Sequence, residues 1–196
     1  MWLDTPLAQA QVNLVERLLE RFGSLPNPDE LRALARAQQG NLAPTSQMRA
    51  LRELEPPSLD EGLTQIEHVP FARVSPSERT RVGVFVAAAV LREGSWSAHG
   101  DPDAPHLVFD WRPEGLPDEL APLVATLAAQ VSGPVESALC PHPAGPPTCW
   151  CRPPLPGLPL AFARAHGVDP ARSILIGTST AHRTLATTLG ARYVSA

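Results

Sequence analysis

The sequence predicts an α/β protein in two parts, residues 1–75 and 76–196. From about Val82 onward, short apolar runs that indicate buried strands alternate with segments typical of helices. This is the pattern of a parallel sheet with flanking helices. The first part is mostly helical. With 196 residues and 43% apolar content, the chain is long enough for one or two domains with a packed core.

The first part opens with the end of a strand at Leu3-Asp4 and continues into a long helix. Thr5 is expected to cap this helix and Gly23 to end it. Apolar residues recur on one broad face of the helix, which predicts that this face is buried. That face consists of Leu7, Leu14, Val15, Leu18, Leu19 and Phe22. The other elements expected here are a helix at 29–37, a loop at 40–44, a helix at 46–53 and a strand at 67–71.

The second part begins after the polar segment 75–81, which interrupts the pattern and marks the boundary. A loop rich in Ser, Gly, Asp and Pro is expected at 94–105. The regular elements expected around it are strands at 84–91 and 106–109, a helix at 158–166, a buried strand at 174–177 and a closing helix at 181–190.

A metal site is predicted where all three cysteines and one histidine fall within a short stretch. Cys140, His142, Cys149 and Cys151 are separated by a Pro/Gly-rich segment at 143–147, which favours a turn. Three thiolates and one imidazole suit tetrahedral Zn²⁺, and four protein ligands leave no open position, so the metal is expected to be structural. The alternative is that the cysteines are merely buried or form one disulfide, which would leave one cysteine over.

The same stretch resembles a known family. Cys-Pro-His-Pro, the Pro/Gly loop, Cys-x-Cys-Arg and then Pro-x-Pro-Gly at 154–157 are similar to the zinc-loop branch of the haloacid dehalogenase (HAD) phosphatases, which includes the histidinol-phosphate and heptose-bisphosphate phosphatases. The resemblance covers about residues 82–196 and implies a Rossmann-like parallel sheet carrying a structural zinc loop. It also makes Arg152 a candidate phosphate contact. The alternative role for Arg152 is a salt bridge or a cap on loop carbonyls.

The catalytic positions of that family are not matched. Ala87 and Ala89 stand where the resemblance places the nucleophilic and acid/base aspartates, and alanine can neither attack phosphorus nor protonate a leaving group. All 16 basic residues are arginine, so the expected phosphate-binding lysine is missing, and Pro153 takes its place. Asp110 or Trp111 stands where a phosphate-binding Thr or Ser is expected. Thr178 stands in place of the magnesium-binding aspartate, and His182 lies near the next acidic position. The resemblance therefore implies a phosphatase-like module without phosphatase activity.

The first part resembles a second family. Residues 55–63, followed by Ile66 and Pro70-Phe71, are similar to the end of the kinase domain of polynucleotide kinase/phosphatases, and residues 10–17 are similar to its lid helix. The resemblance covers about residues 1–73 and implies a partial P-loop kinase fold. It further implies that Arg17, or next Arg21, contacts the transferring phosphate. The alternative is that both are ordinary solvated arginines.

The phosphate-binding loop of such kinases is not found. Gly-x-x-x-x-Gly-Lys-Ser/Thr has no match, and the chain has no lysine to complete one. In the family this loop lies upstream of Leu3. We therefore expect either a piece of a longer protein, a misassigned start, or a chain that works beside a separate P-loop-containing chain. ATP and Mg²⁺ are expected as cofactors only in a longer form that carries the loop.

Bulk composition limits the classes of partner. A net charge of −4 and a pI near 5.8 give no general attraction for nucleic acid or anionic membranes, although nucleic acid as a partner stays open. No apolar run approaches the roughly 20 residues of a membrane span. Reduced cysteines around zinc and no export signal favour the cytoplasm. A catalytic base among His99, His106, His166 and His182 is disfavoured, since no nucleophile motif accompanies them.

Three functions follow, in order of preference. The first is a non-catalytic or accessory part of a kinase–phosphatase-like protein, with a zinc-stabilised HAD-like module. The second is the C-terminal piece of an ATP-dependent kinase that acts on a hydroxyl, such as the 5′-hydroxyl of a polynucleotide. The third is an active phosphatase that uses Asp101, Asp103 or Asp110 in place of the missing carboxylates.

Overall fold

A five-stranded parallel sheet forms the centre of the larger part of the chain. The structure is a computed structural model that describes residues 2–37, 43–71 and 78–196. The strands of the whole described chain are β1 (Trp2–Asp4), β2 (His68–Pro70), β3 (Val84–Ala87), β4 (His106–Trp111), β5 (Val135–Cys140), β6 (Ile174–Gly177) and β7 (Arg192–Ser195). The helices are α1 (Leu7–Phe22), α2 (Pro28–Ala37), α3 (Pro44–Glu53), α4 (Ala88–Arg92), α5 (Ala121–Ala128), α6 (Gly157–His166) and α7 (Thr180–Leu189).

The strand order of the main sheet is β5-β4-β3-β6-β7, with every pair parallel. The central strand β3 is buried along its whole length, as expected for a parallel strand covered on both faces. Val84 pairs with His106 on one side and with Ile174 on the other. β4 and β5 lie on one side of β3, and β6 and β7 lie on the other, so the strand order switches between β3 and β6. In open α/β sheets, ligands bind at the carboxyl ends of strands at such a switch point.

The α/β class and the parallel sheet are confirmed, and several predicted elements are found with small shifts. β6 coincides with the predicted strand, and α6 and α7 each begin one residue early. The predicted strand at 84–91 is wrong beyond Ala87, because α4 begins at the next residue. β4 runs two residues further than expected and includes Asp110 and Trp111. α5, β5 and β7 were not anticipated.

Helix α1 belongs to the same apolar core as the main sheet. Its buried residues contribute to one cluster with α6, α7 and the strands, and α1 contacts both of these helices. Leu14, Val15, Leu18 and Leu19 are buried as predicted, together with Gln11 and Val12. The prediction is wrong for Leu7 and Phe22, which are 40% and 38% exposed. Both lie at the ends of α1, beyond the turns that pack against the core.

The boundaries of α1 follow from its flanking residues. The predicted cap by Thr5 is wrong: Pro6 precedes the helix, and no side chain caps its first turn. The Pro6 carbonyl accepts a hydrogen bond from Ala10 N at 3.0 Å, so Thr5 lies one residue too early to cap. At the other end Gly23 adopts a φ of 74° and donates to Leu19 O at 2.9 Å, which confirms it as the helix end.

The remaining parts of the first segment agree broadly with expectation. α2 and α3 begin one and two residues before the predicted helices, in each case at a proline. Residues 40–42 of the predicted loop and the predicted domain boundary at 75/76 lie outside the described residues. Across that boundary, Arg79 forms a two-armed ion pair with Glu16 of α1, at 2.5 and 2.7 Å. No helix within the three described ranges is long and apolar enough to cross a membrane.

A second, separate sheet consists of β1 and β2 alone. Their backbones pair in parallel, with Trp2 opposite His68 and Asp4 opposite Pro70. The chain between them carries α1, α2 and α3, so the unit is a strand–helices–strand crossover. Both strands were expected from the sequence, and their pairing with each other was not.

Candidate metal centre

The four predicted metal ligands meet at the carboxyl end of β5. Cys140 is the last residue of that strand, and the following loop returns Cys149 and Cys151 to it. Cys140 Sγ lies 3.6 Å from Cys149 Sγ and 3.2 Å from Cys151 Sγ. His142 Nδ1 lies 3.5 Å from Cys140 Sγ and 3.1 Å from Cys151 Sγ. All four candidate ligand atoms lie within 4.8 Å of one another.

These distances suit a tetrahedral metal ion. With Zn–S bonds of about 2.3 Å and a Zn–N bond of about 2.0 Å, the edges of an ideal tetrahedron would be roughly 3.5 to 3.8 Å. The three thiols are buried, and Leu25 and Leu158 pack against them. None of the three is in a disulfide. Cys140, His142, Cys149 and Cys151 therefore form a cluster that can hold a metal ion such as zinc.

The three thiols are in mutual contact, and this favours a cation at the cluster. Cys151 donates to Cys140, and Cys140 is paired in turn with Cys149, so the ionisation of each thiol depends on its neighbours. The hydrogen bond with Cys140 lowers the pKa of Cys149, while the pKa of Cys140 is raised by its contact with Cys149 and that of Cys151 by its contact with Cys140. A divalent ion would allow all three thiols to ionise together, because thiolates are the form that binds metal.

The loop that carries the ligands is held by side chains from the neighbouring strand and from the loop itself. Trp111, which pairs with Cys140 across β4 and β5, donates its Nε1–H to His142 O at 2.8 Å. Arg152 donates to the carbonyls of Pro143 at 3.1 Å and Gly145 at 2.7 Å. Its guanidinium also stacks on the Trp111 ring, 4.8 Å from the centroid. These contacts hold the outer side of the loop, and none of them uses a metal-ligand atom.

A close backbone contact sets the start of α6 beneath the loop. Gly157 N donates to Trp150 O at 3.0 Å, and Trp150 is buried. A Cβ at position 157 would lie 2.5 Å from that oxygen, so only glycine fits. This explains why the Pro-x-Pro-Gly segment ends in glycine. The metal loop and α6 are thereby coupled through one contact.

The candidate phosphate contacts lie in different places. Arg152 caps loop carbonyls, the alternative role weighed from the sequence. Arg17 is exposed on α1 and borders an open depression with Asn13 and Gln47, whereas Arg21 is exposed and stacks on Phe22 at 5.3 Å. The structure does not bring these three arginines to one site, and their role in phosphate binding stays a prediction.

The carboxyl edge at the switch point of the sheet is occupied by side chains. Ala87 ends β3, and next to it the His182 imidazole lies edge-on to Phe109, with 5.6 Å between centroids. Thr178 N donates to His182 Nδ1 at 3.2 Å. Burial lowers the pKa of His182, and the charge of Asp110 only partly opposes this. A neutral imidazole therefore sits where a parallel sheet of this order usually receives its ligand.

Asp110, the one acidic side chain at the end of β4, is engaged elsewhere. Its Oδ2 accepts from Arg92 Nη2 at 2.6 Å, and its Oδ1 accepts from Trp111 N at 2.9 Å. The other candidate carboxylates lie in the loop before β4, where Asp101 Oδ1 accepts from Asp103 N at 2.9 Å. Asp101, Asp103 and Asp110 therefore do not form a pair of carboxylates two residues apart at the end of one strand, which is the arrangement expected of HAD phosphatases.

The remaining histidines are placed in separate environments. His106 is buried with Nδ1 2.7 Å from Ala104 O, and burial lowers its pKa. His166 pairs with Glu136 at 3.0 Å, and His99 lies 2.7 Å from the Ser97 hydroxyl.

Comparison with known proteins gave no relatives: no family model, no curated protein and no solved structure matches this chain.

Proposed function

We propose that this chain is the non-catalytic part of a kinase–phosphatase-like protein, built on a zinc-stabilised HAD-like module that binds or positions a partner. The observation that carries the proposal is the contrast between two neighbouring strand ends. At the end of β5 a complete set of four metal ligands converges. At the end of β3 stands Ala87, with no carboxylate at 87 or 89. Phosphoryl transfer through an aspartyl nucleophile requires both of those groups.

Electrostatics at the switch point support the same proposal. Hydrolysis of a phosphate ester needs cations that neutralise the phosphoryl oxygens and an acid for the leaving group. Asp110 is neutralised by Arg92, and His182 is held neutral by burial. The residues at this edge thus supply neither a free carboxylate pair for Mg²⁺ nor a lysine.

The test is a phosphatase assay on zinc-loaded protein with Mg²⁺ and p-nitrophenyl phosphate. We expect turnover at the level of the buffer for the wild-type chain, for Asp110→Asn and for the exposed control Asp118→Asn. Clear turnover that disappears in Asp110→Asn and persists in Asp118→Asn would show that the carboxylates were wrongly placed and that the module is an active phosphatase.

A second candidate function is the accessory segment of an ATP-dependent kinase, and the small sheet favours it. Parallel strands are normally covered on both faces within a larger sheet, and a two-stranded sheet alone is marginal. β1 and β2 form such a pair, and the chain that leads to β2 exposes Leu54, Leu59 and Leu63. Strands from a P-loop-containing polypeptide would complete this sheet and would also cover the three exposed leucines.

The kinase candidate predicts that this chain alone does not transfer phosphate from ATP. In a form that includes a P-loop, Arg17→Ala should lower turnover more than ATP binding, because lid cations stabilise charge that develops in the transition state. Arg36→Ala, an exposed arginine on α2, serves as the matched control. Equal effects of the two substitutions on turnover would exclude Arg17 from this role.

A further inference from the structure

The three thiols of the metal cluster lie close enough together to react with one another. Cys140 Sγ is 3.2 Å from Cys151 Sγ and 3.6 Å from Cys149 Sγ, and none of the three is in a disulfide. A disulfide has an S–S bond of about 2.05 Å, so the Cys140 and Cys151 sulfurs would have to approach by only about 1.2 Å. The ligand set that suits a metal ion therefore also suits an intramolecular disulfide.

The two cysteines of the closer pair differ in their surroundings. Cys140 is the last residue of β5 and is fully buried. Cys151 lies outside the helices and strands, and it is 8% exposed, whereas Cys149 is 1% exposed. The loop that leads to Cys151 is exposed at residues 143–146. Because thiol oxidation follows exposure, Cys151 is the thiol that a small oxidant reaches first, and Cys140 is the nearest thiol that can resolve the product.

We propose that the metal centre is an oxidation site, at which a hydroperoxide joins Cys140 and Cys151 in a disulfide and the metal is released. The Cys151 thiolate attacks one oxygen of hydrogen peroxide, the O–O bond breaks, and hydroxide leaves while Cys151 becomes a sulfenic acid. The Cys140 thiolate then attacks the Cys151 sulfur, the S–O bond breaks, and a second hydroxide leaves. The two thiolates lose two electrons, peroxide gains them, and two protons from solvent convert both hydroxides to water.

The loss of two ligands at once accounts for the release of the metal. Of the four candidate donors only His142 and Cys149 remain, and structural zinc requires four. The loop stays linked to β5, because the disulfide replaces the metal as the connection between them. The outer contacts of Trp111 and Arg152 also persist, since they use no sulfur atom. Oxidation therefore exchanges one cross-link for another and frees the His142 imidazole.

The exchange is reversible and requires only the metal cluster. A dithiol such as dithiothreitol reduces the disulfide by thiol–disulfide exchange and is itself oxidised, after which the thiols can bind zinc again. The reaction uses no residue of the switch-point edge or of the β1–β2 sheet. It is therefore independent of both proposed functions, and a phosphatase or kinase result does not bear on it.

The experiment treats the full zinc-loaded chain with hydrogen peroxide at levels that leave the Met48 thioether unoxidised. Released zinc is measured with a chromogenic chelator, and free thiols are counted after denaturation. We expect the thiol count to fall from three to one as zinc is released, and dithiothreitol followed by zinc to restore both. A chain that holds no zinc, zinc that stays bound with three free thiols, or release with sulfinic or sulfonic acids in place of a disulfide would overturn the proposal.

Peptide mapping of the oxidised wild type identifies the pair without any substitution. Chymotrypsin cleaves after Trp150, which separates Cys151 from the fragment that holds Cys140 and Cys149. A Cys140–Cys151 disulfide joins the two fragments and leaves Cys149 open to alkylation. Alkylation of Cys140 or Cys151 in place of Cys149 would refute the assignment of the pair.

Two matched serine variants test which thiol reacts first, because each removes one metal ligand and leaves two thiols. At slightly alkaline pH, where thiols ionise, Cys149→Ser retains the proposed pair and should lose both thiols to peroxide. Cys151→Ser retains only the two least exposed thiols and should keep both under the same treatment. Equal loss of thiols in the two variants would exclude Cys151 as the point of attack.

Discussion

Replacement of Cys149 by serine should remove the metal and lower stability. Cys149 is buried, and its Sγ lies 3.6 Å from Cys140 Sγ within the cluster of four candidate ligands. Serine at this position keeps the shape of the side chain but is a poor ligand for zinc. The variant should bind less than one zinc per chain, whereas the wild type should bind one.

The size of the effect follows from linkage between metal binding and folding. A metal present at about 1,000 times its dissociation constant stabilises the folded state by roughly 4 kcal/mol. For a chain of this length, 1 kcal/mol corresponds to a shift of about 2–4 °C in Tm, so the loss should be about 8–16 °C. The loss is expected to be global rather than local, because Leu25 and Leu158 pack on the thiols and α6 begins at the Gly157–Trp150 contact.

The assay is differential scanning calorimetry on protein purified with zinc, combined with metal analysis. Thr148→Ser serves as the control, because it changes a hydroxyl residue in the same loop without touching a ligand. Addition of a strong chelator to the wild type should reproduce the Tm of Cys149→Ser, and zinc should restore only the wild type. A wild-type protein with no zinc and three freely reactive thiols would refute the reasoning.

Two further predictions concern residues outside the metal loop. Glu16→Gln should destabilise the fold by about 3–5 kcal/mol in chemical denaturation, since it removes the carboxylate paired with the buried guanidinium of Arg79, whereas Glu53→Gln in the exposed pair of α3 should cost about 1 kcal/mol or less; similar losses would contradict the first expectation. Burial lowers the folded-state pKa of His182, so the unfolded chain binds its proton first and stability should fall as pH drops below about 6.5. In His182→Gln the free energy of unfolding, measured by urea titration at several pH values, should fall less at low pH. An unchanged dependence on pH would contradict the prediction.

The elements that the sequence predicted well are those whose local signals agree with their packing. α6 and α7 both end at glycines with left-handed φ, Gly167 at 64° and Gly190 at 73°, and both have apolar faces on the sheet. β5 was missed because it is an edge strand. Its residues Glu136 and Ser137 are exposed, so it lacks the continuous apolar run of a central strand.

The metal ligands were predictable because residue type and spacing define the chemistry, and all four converge as expected. The support from Trp111 could not be read from the sequence. It depends on the register that places Trp111 opposite Cys140 on the adjacent strand, and this register is a property of the sheet. Likewise, nothing local indicated that His182 would lie against Phe109, because Gly177 permits that approach only in the folded chain.

The metal loop is held from two sides, which depend on different groups. On the outer side Arg152 stacks on Trp111 and donates to two loop carbonyls. On the inner side the candidate ligands converge at the end of β5, and Leu25 and Leu158 pack against the three thiols. A metal ion at this cluster would tie the loop to the sheet, because metal binding is coupled to folding. In the proposed non-catalytic module the ion would serve the stability of the fold rather than catalysis, which agrees with an intact ligand set beside an alanine at the end of β3.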